Sequence, residues 1–167
     1  LYYVVVFLRN KFFDWSIFSS KSYTFPLLCV GNLSVGGTGK TPMIEYLIAL
    51  LEPKYKLATL SRGYGRKSKG FLIAEPNATS QDIGDEPLQL FNKFKTITVA
   101  VDADRQNGLK CLKENYPWVD AVLLDDAFQH RKVTAGFNML LTAYDQLYCD
   151  DGVLPTGNLR EPKSGAK

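Results

Sequence analysis

Lys40 and Thr41 close an eight-residue run, Ser34-Val35-Gly36-Gly37-Thr38-Gly39-Lys40-Thr41, set between an apolar stretch (Pro26–Val30) and a helical-looking one (Pro42–Leu51). The glycines let the backbone bend around an anion with its N–H groups turned inward. The helix that follows brings the positive end of its dipole to the same place. Lys40 supplies a full charge for the outer phosphates of a nucleotide, and the Thr41 hydroxyl suits a magnesium ion. The general pattern asks for glycine at the first position, where this chain has Ser34. The last three positions carry most of the chemistry and are intact.

A second constellation is Val122-Leu123-Leu124-Asp125-Asp126. An apolar strand that ends in carboxylates provides oxygen ligands for Mg²⁺, which keeps several waters and needs only one or two such groups. Asp125 is the better candidate for the metal or its water shell, with Asp126 beside it. Alone, two aspartates at a strand end read as a turn or a helix cap. Beside a phosphate loop they read as the metal side of a nucleotide site. The segment continues Ala127-Phe128-Gln129-His130-Arg131, and His130 is the one histidine of the chain. Its place near the expected metal leaves it open between a structural and a functional role. Gln129 and Arg131 suit phosphate or substrate, and equally an ordinary surface.

Two further clusters stand out. Gly84-Asp85-Glu86-Pro87 places adjacent carboxylates before a proline that a first helical turn tolerates, and residue types alone favour plain helix capping. Ser61-Arg62-Gly63-Tyr64-Gly65-Arg66 is a tight glycine loop whose arginines can hold phosphate oxygens bidentately. Arg105 occupies a similar place after another expected strand. These arginines suit a transferring phosphoryl group or surface ion pairs.

The elements that must position these groups are short apolar runs alternating with helical stretches. Strands are expected over Pro26–Gly31, Lys56–Ser61, Ile97–Val101, Ala121–Asp125 and Asn138–Thr142. Helices are expected over Gly39–Leu51, Asp85–Phe94 and Asp104–Asn115, and Gly63–Ala74 reads as a loop leading into a short extra strand. Such alternation implies an α/β fold, with a mostly parallel sheet flanked by helices and ligands bound beyond the carboxyl ends of the strands. The tail Gly152–Lys167 is rich in Gly, Pro and charge and reads as loop. Ahead of the sheet, Leu1–Phe18 carries Val5, Leu8, Phe12 and Trp15 at helical spacing, with Arg9, Asn10, Lys11 and Asp14 off that stripe. This is an amphipathic helix suited either to a membrane interface or to packing on the domain's own core.

At 167 residues and 46% hydrophobic content, the chain can bury a sizeable core, which excludes disorder as the default. A net charge of +3 with no basic run interleaved with aromatics argues against nucleic acid. Nothing in the pattern calls for a protein partner. Cys29, Cys111 and Cys149 form no C-x-x-C and read as plain thiols in a reduced compartment. The apolar run Leu1–Leu8 is too short to span a bilayer. The chain begins with Leu1 rather than Met and stops at Lys167 inside what reads as a motif, as a piece of a longer protein would.

In combination, these motifs resemble the tetraacyldisaccharide 4′-kinase family, the lipid A 4′-kinases of Gram-negative bacteria. The resemblance rests on Val30-Gly31-Asn32-Leu33 running into Gly-Gly-Thr-Gly-Lys-Thr-Pro, on Ser61-Arg62-Gly63-Tyr64-Gly65, and on Gly84-Asp85-Glu86-Pro87. It rests also on Asp125-Asp126-Ala127-Phe128-Gln129-His130, and on Leu154-Pro155 followed by Leu159-Arg160-Glu161. It implies a P-loop NTPase-like fold and transfer of the γ-phosphate of ATP to the 4′-hydroxyl of a tetraacyldisaccharide 1-phosphate lipid A precursor, giving lipid IVA. It implies work at the cytoplasmic face of the inner membrane. Residues 1–23 would then form an N-terminal interface helix and 24–167 a P-loop kinase domain lacking its C-terminal part.

Carried over by position, the resemblance makes Asp85 the catalytic base, with Lys40, Arg105 and His130 as further catalytic groups. ATP would lie on Ser34–Thr41. Magnesium would be held among Thr41, Asp125, Asp126 and Glu86, and substrate among Arg62, Gln129, Arg160 and Glu161. Two departures matter. The family usually shows glycine where this chain has Ala127, so a left-handed backbone there would be strained. The family chain also continues well beyond this one with a second α/β portion carrying a histidine that partners the catalytic aspartate. The rivals are a nucleotide-switch or scaffold ATPase or GTPase, and a soluble small-molecule kinase. A GTPase should carry Asn/Thr-Lys-x-Asp, and Asn92-Lys93-Phe94-Lys95 fails at its last position. Partition-type ATPases carry lysine where this chain has Val35.

Overall fold

The computed structural model describes residues 2–166. Five of its six strands are parallel: β1 (Leu27–Asn32), β2 (Leu57–Ser61), β4 (Thr98–Val101), β5 (Ala121–Asp125) and β6 (Phe137–Leu141). The short β3 (Leu72–Ile73) joins one edge antiparallel to β4, giving the order β3-β4-β2-β5-β1-β6. Each parallel strand lies within one residue of its expected position. β2 and β5 are buried at every residue, which is why they read as unbroken apolar runs.

Successive strand residues face opposite sides of the sheet, so two cores form. Val30, Leu57, Val99 and Leu123 pack with Ile44, Leu47 and Ile48 of α2 (Lys40–Leu51) and with Leu90 of α4 (Asp85–Lys93). Cys29, Ala58, Ala100, Val122 and Leu124 pack with Leu109 and Leu112 of α5 (Arg105–Asn115) on the other face. Burial raises the Cys29 thiol to about 12, so it is an inert apolar filler. Asp104 caps α5, accepting from the amides of Gln106 at 3.0 Å and Asn107 at 3.4 Å. The four-residue α3 (Ser80–Ile83) begins with a Thr79–Asp82 capping box, a signal present in the sequence and overlooked there.

The first helix, α1 (Tyr2–Asp14), buries one apolar side chain, Val6, apart from the two core clusters. Its stripe is turned the opposite way from a core-packed helix. Val5 is 59% exposed, Leu8 44% and Trp15, just past its end, 63%, while Phe12 is half-buried against Phe18. The polar residues off the stripe face the protein instead. Arg9 and Asn10 bond Glu161, and Arg131 reaches the Asn10 carbonyl at 3.0 Å and Asp14 at 2.8 Å. Packing on the domain's own core is therefore overturned as the role of that stripe. Among the described residues, no helix is long and apolar enough to cross a membrane.

Candidate active site

β1 and β5 are neighbours, with Val30 paired to Asp125, so the loop after β1 and the acidic end of β5 leave the sheet side by side. Gly36 (φ 114°) and Gly39 (φ 82°) make the bend before α2 in left-handed backbone that glycine accepts without strain. A Cβ added at either would meet nothing within 4 Å, so the hollow of the bend is open. Lys40 reaches back across it to Asn32 Oδ1 at 3.3 Å and Asp126 Oδ1 at 3.6 Å. Asn32 also donates to the Gly36 carbonyl at 3.4 Å. The first two residues of the run are tied elsewhere. Ser34 pairs with Leu159, and the Val35 amide donates to the Asn158 carbonyl at 2.7 Å. The Val35 amide is thus already engaged and not free for a ligand.

Beyond these strand ends lies a cavity of about 870 Å³. Lys40, Arg62, Asp85, Glu86, Arg105, Asp125, Asp126, Gln129, His130, Arg160 and Glu161 all line it. Of the residues expected at the site, Ser34–Gly39 and Thr41 are outside its lining. Thr38 Oγ1 is buried without a partner, and Thr41 is half-buried at the start of α2. Arg131, weighed for phosphate, instead holds α1.

Asp85 and Glu86 sit in the first turn of α4, where no side chain caps the helix. The helix start expected from residue types alone is borne out, and the two carboxylates are also exposed at the cavity wall. Their position is set by backbone contact with the Ser61–Gly65 loop. A Cβ on Gly84 (φ 92°) would lie 2.9 Å from the Tyr64 carbonyl, and one on Gly63 (φ 68°) would lie 2.8 Å from that of Ile83. Only glycine at both positions allows the two loops to touch.

The paired aspartates are driven apart in acidity. Asp125 is 4% exposed, and its Oδ1 has no hydrogen-bond partner. Burial first, then the charges of Glu86 and Asp126, push its carboxyl to about 7 against the pull of Lys40 and Arg105. Burial would raise Asp126 too. There the fork from Arg160, at 3.0 and 3.3 Å, together with Lys40 outweighs burial and holds it below the usual carboxylate range. Asp126 is the residue in left-handed backbone (φ 47°), and Ala127 is not. The strain expected at Ala127 is absent, and its methyl packs in the second core.

Arg105 is 3% exposed, more enclosed than an arginine that meets phosphate needs to be. Its guanidinium donates to the carbonyls of Asp102 at 2.8 Å and Asp125 at 3.5 Å, so it ties the ends of β4 and β5 together. Burial, then Arg105, holds His130 below its ordinary value and therefore neutral at pH 7. The tail is a loop, as expected, and it folds back as a clamp. Leu159 is fully buried, the Arg160 amide donates to the Leu33 carbonyl at 2.7 Å, and Arg160 also bonds Asn32 Oδ1. Asn32, Tyr2, Arg9 and Tyr64 were missed in the sequence. Asn32 and Tyr64 did carry a signal, since both stand inside motifs quoted above, but neither was named as a site residue.

The family model described as LpxK, tetraacyldisaccharide-1-P 4'-kinase, matches residues 1–167. The tetraacyldisaccharide 4'-kinase of Flavobacterium johnsoniae is 57% identical over 99% of this chain and 49% of its own length. That of Bacteroides thetaiotaomicron is 53% identical over 99% of this chain and 44% of its own. A crystal structure of LpxK from Aquifex aeolicus in complex with ATP superposes with a TM-score of 0.87 at 37% identity, covering 99% of this chain and 52% of that one. The chain spans about half the length of the curated relatives it matches.

Proposed function

The chain belongs to the tetraacyldisaccharide-1-P 4'-kinase family, and from that premise we propose that the whole protein transfers the γ-phosphate of ATP to the 4′-hydroxyl of a tetraacyldisaccharide 1-phosphate lipid A precursor. The observation that carries the reading is the shared cavity. Lys40, the aspartate pair and Asp85 line one space, as a donor triphosphate and an acceptor hydroxyl require. Phosphoryl transfer asks the protein mainly to position groups and cancel charge.

Asp85 takes the proton of the acceptor hydroxyl as its oxygen bonds to the γ-phosphorus of ATP and the bond from that phosphorus to the bridging oxygen breaks, with ADP leaving. Lys40 and the amides from Gly36 onward hold the outer phosphates, with Ser34 and Val35 bracing the loop rather than touching the ligand. Arg62 and Arg160 balance charge at the cavity wall, and Arg105 keeps the strand ends in register. Neutral His130 and Gln129 offer hydrogen bonds to the acceptor, and Glu161 organises the floor. The donor set fits magnesium. Asp125 presents a buried oxygen with no partner, and Asp126 and Glu86 are near enough to perturb it. Among the described residues, no three His, Cys, Asp or Glu side chains form a ready-made cage, which suits an ion that arrives with phosphate and water ligands. Thr41, Asp125, Asp126 and Glu86 would hold it, and the ion when bound supplies charge neutralisation.

The exposed apolar face of α1 supports a resting place in the inner-membrane interface on the cytoplasmic side, where the lipid acceptor lies. In the full-length protein, Asp85→Ala should abolish phosphate transfer from ATP to the lipid acceptor in detergent while nucleotide binding persists. Transfer at the wild-type rate reassigns the base. GTP turnover independent of lipid defeats the kinase reading altogether.

A further inference from the structure

Glu161 is 2% exposed, and a buried carboxylate needs partners for its oxygens. Both partners come from α1: Arg9 bonds Oε1, and Asn10 Nδ2 donates to Oε2 at 3.3 Å. The same helix holds the neighbouring residue, since the Tyr2 hydroxyl donates to the Arg160 carbonyl at 2.8 Å. The Arg160 guanidinium in turn forks onto Asp126 and bonds Asn32 Oδ1, the atom that also receives Lys40. An unbroken line of polar contacts therefore runs from the N-terminal helix to the lysine of the phosphate loop.

We propose that Arg9 is a positioning residue for the nucleotide site: by seating α1 on Glu161 it sets Arg160 against Asp126 and Asn32, and so fixes the Lys40–Asp126 pair. The proposal rests on reading the cavity as a nucleotide site and extends that reading to a residue outside the phosphate machinery. The physical reason is the burial of Glu161. Without Arg9 its buried carboxylate keeps one neutral amide partner, and the side chain must move toward water. That movement shifts the backbone that carries Arg160. The outward face of α1 contributes nothing to either core, so the underside, with Arg9, Asn10 and the buried Val6, is what holds the helix down. Linkage makes the effect reciprocal. Nucleotide that orders Asp126 and Arg160 tightens the seat of α1, and a seated α1 tightens nucleotide.

The test is a double-mutant cycle in the full-length protein. Affinity for magnesium plus a non-hydrolysable ATP analogue is measured without lipid for wild type, Arg9→Met, Arg160→Met and the double variant. Each single change is expected to weaken binding about tenfold, the size of one lost charged hydrogen bond. The double variant is expected to bind no more weakly than Arg160→Met, because Arg9 acts through Arg160. Arg9→Lys should recover most of the loss, and thermal unfolding shows which variants are folded. Should Arg9→Met not fold, Tyr2→Phe takes its place in the cycle with the same expected non-additivity. Unchanged affinity in Arg9→Met, or losses that multiply in the double variant, overturns the proposal. A wild type that binds no nucleotide overturns it together with the reading of the cavity. A wild type that binds nucleotide yet transfers no phosphate to lipid, with the cycle non-additive, supports the proposal and sinks only the acceptor assignment.

Discussion

Replacing Asp125 by asparagine is expected to stabilise the ligand-free protein at pH 8 while weakening its hold on metal and nucleotide. In the unfolded chain this carboxyl ionises near 3.8, whereas in the fold it does so only at about 7. Between those values the native state holds a proton that the unfolded state has released. Wild-type stability therefore falls as pH climbs through that window and levels off above it. About three units at ~1.36 kcal/mol each amount to about 4 kcal/mol. The asparagine has no such slope. Its amide N–H groups replace an oxygen that has no partner, at a cost of ~1–2 kcal/mol. The variant should thus be equal to or slightly less stable than wild type at pH 4.5, and about 2–3 kcal/mol more stable at pH 8. Urea titrations of both proteins at pH 4.5, 6 and 8, with chelator and without nucleotide, measure the difference, since all other titrating groups are common to the pair. A difference that stays flat with pH, or an asparagine protein less stable throughout, refutes the claim that Asp125 is a buried carboxylate held ready for a cation.

Two more outcomes are expected. Gly84→Ala forces an L side chain into left-handed backbone against the Tyr64 carbonyl, which should cost about 2–3 kcal/mol in denaturant titration and reduce transfer far more than Gly65→Ala. A Cβ at Gly65, by contrast, meets nothing within 4 Å. Replacing Val5, Leu8 and Trp15 together by serine should leave unfolding free energy within about 0.5 kcal/mol per site, because all three are exposed. Flotation with anionic vesicles should nevertheless be lost, and retained flotation would remove the membrane role from this face.

The middle of the sheet was legible because β2 and β5 are buried on both faces, so that Leu57–Ser61 and Ala121–Asp125 read as uninterrupted apolar runs. The phosphate loop was legible because its function demands glycine and lysine at fixed spacing. The orientation of α1 was not. Periodicity places Val5, Leu8 and Trp15 on one side of a helix but does not say whether that side meets protein or surroundings. The decision lay with Glu161 and Arg131, far along the chain, which bind the opposite side. The tail is the loop its composition implies, with no strand or α-helix after β6 among the described residues, but Gly, Pro and charge say nothing of the pairing of Leu159 with Ser34. The strain feared at Ala127 was conditional on a left-handed backbone there, and that conformation falls on Asp126, a residue that tolerates it.

The meeting of Gly63 and Gly84 has a consequence for how acceptor preference can change. The two loops are joined main chain to main chain, and such a joint is blind to the identity of the neighbouring side groups. Arg62, Tyr64, Asp85 and Glu86 project from it with no role in keeping it closed, and Tyr64 is 89% exposed. Rewriting Arg62 or Tyr64 therefore alters what the mouth of the cleft can grip while the carboxylate at Asp85 stays where it was.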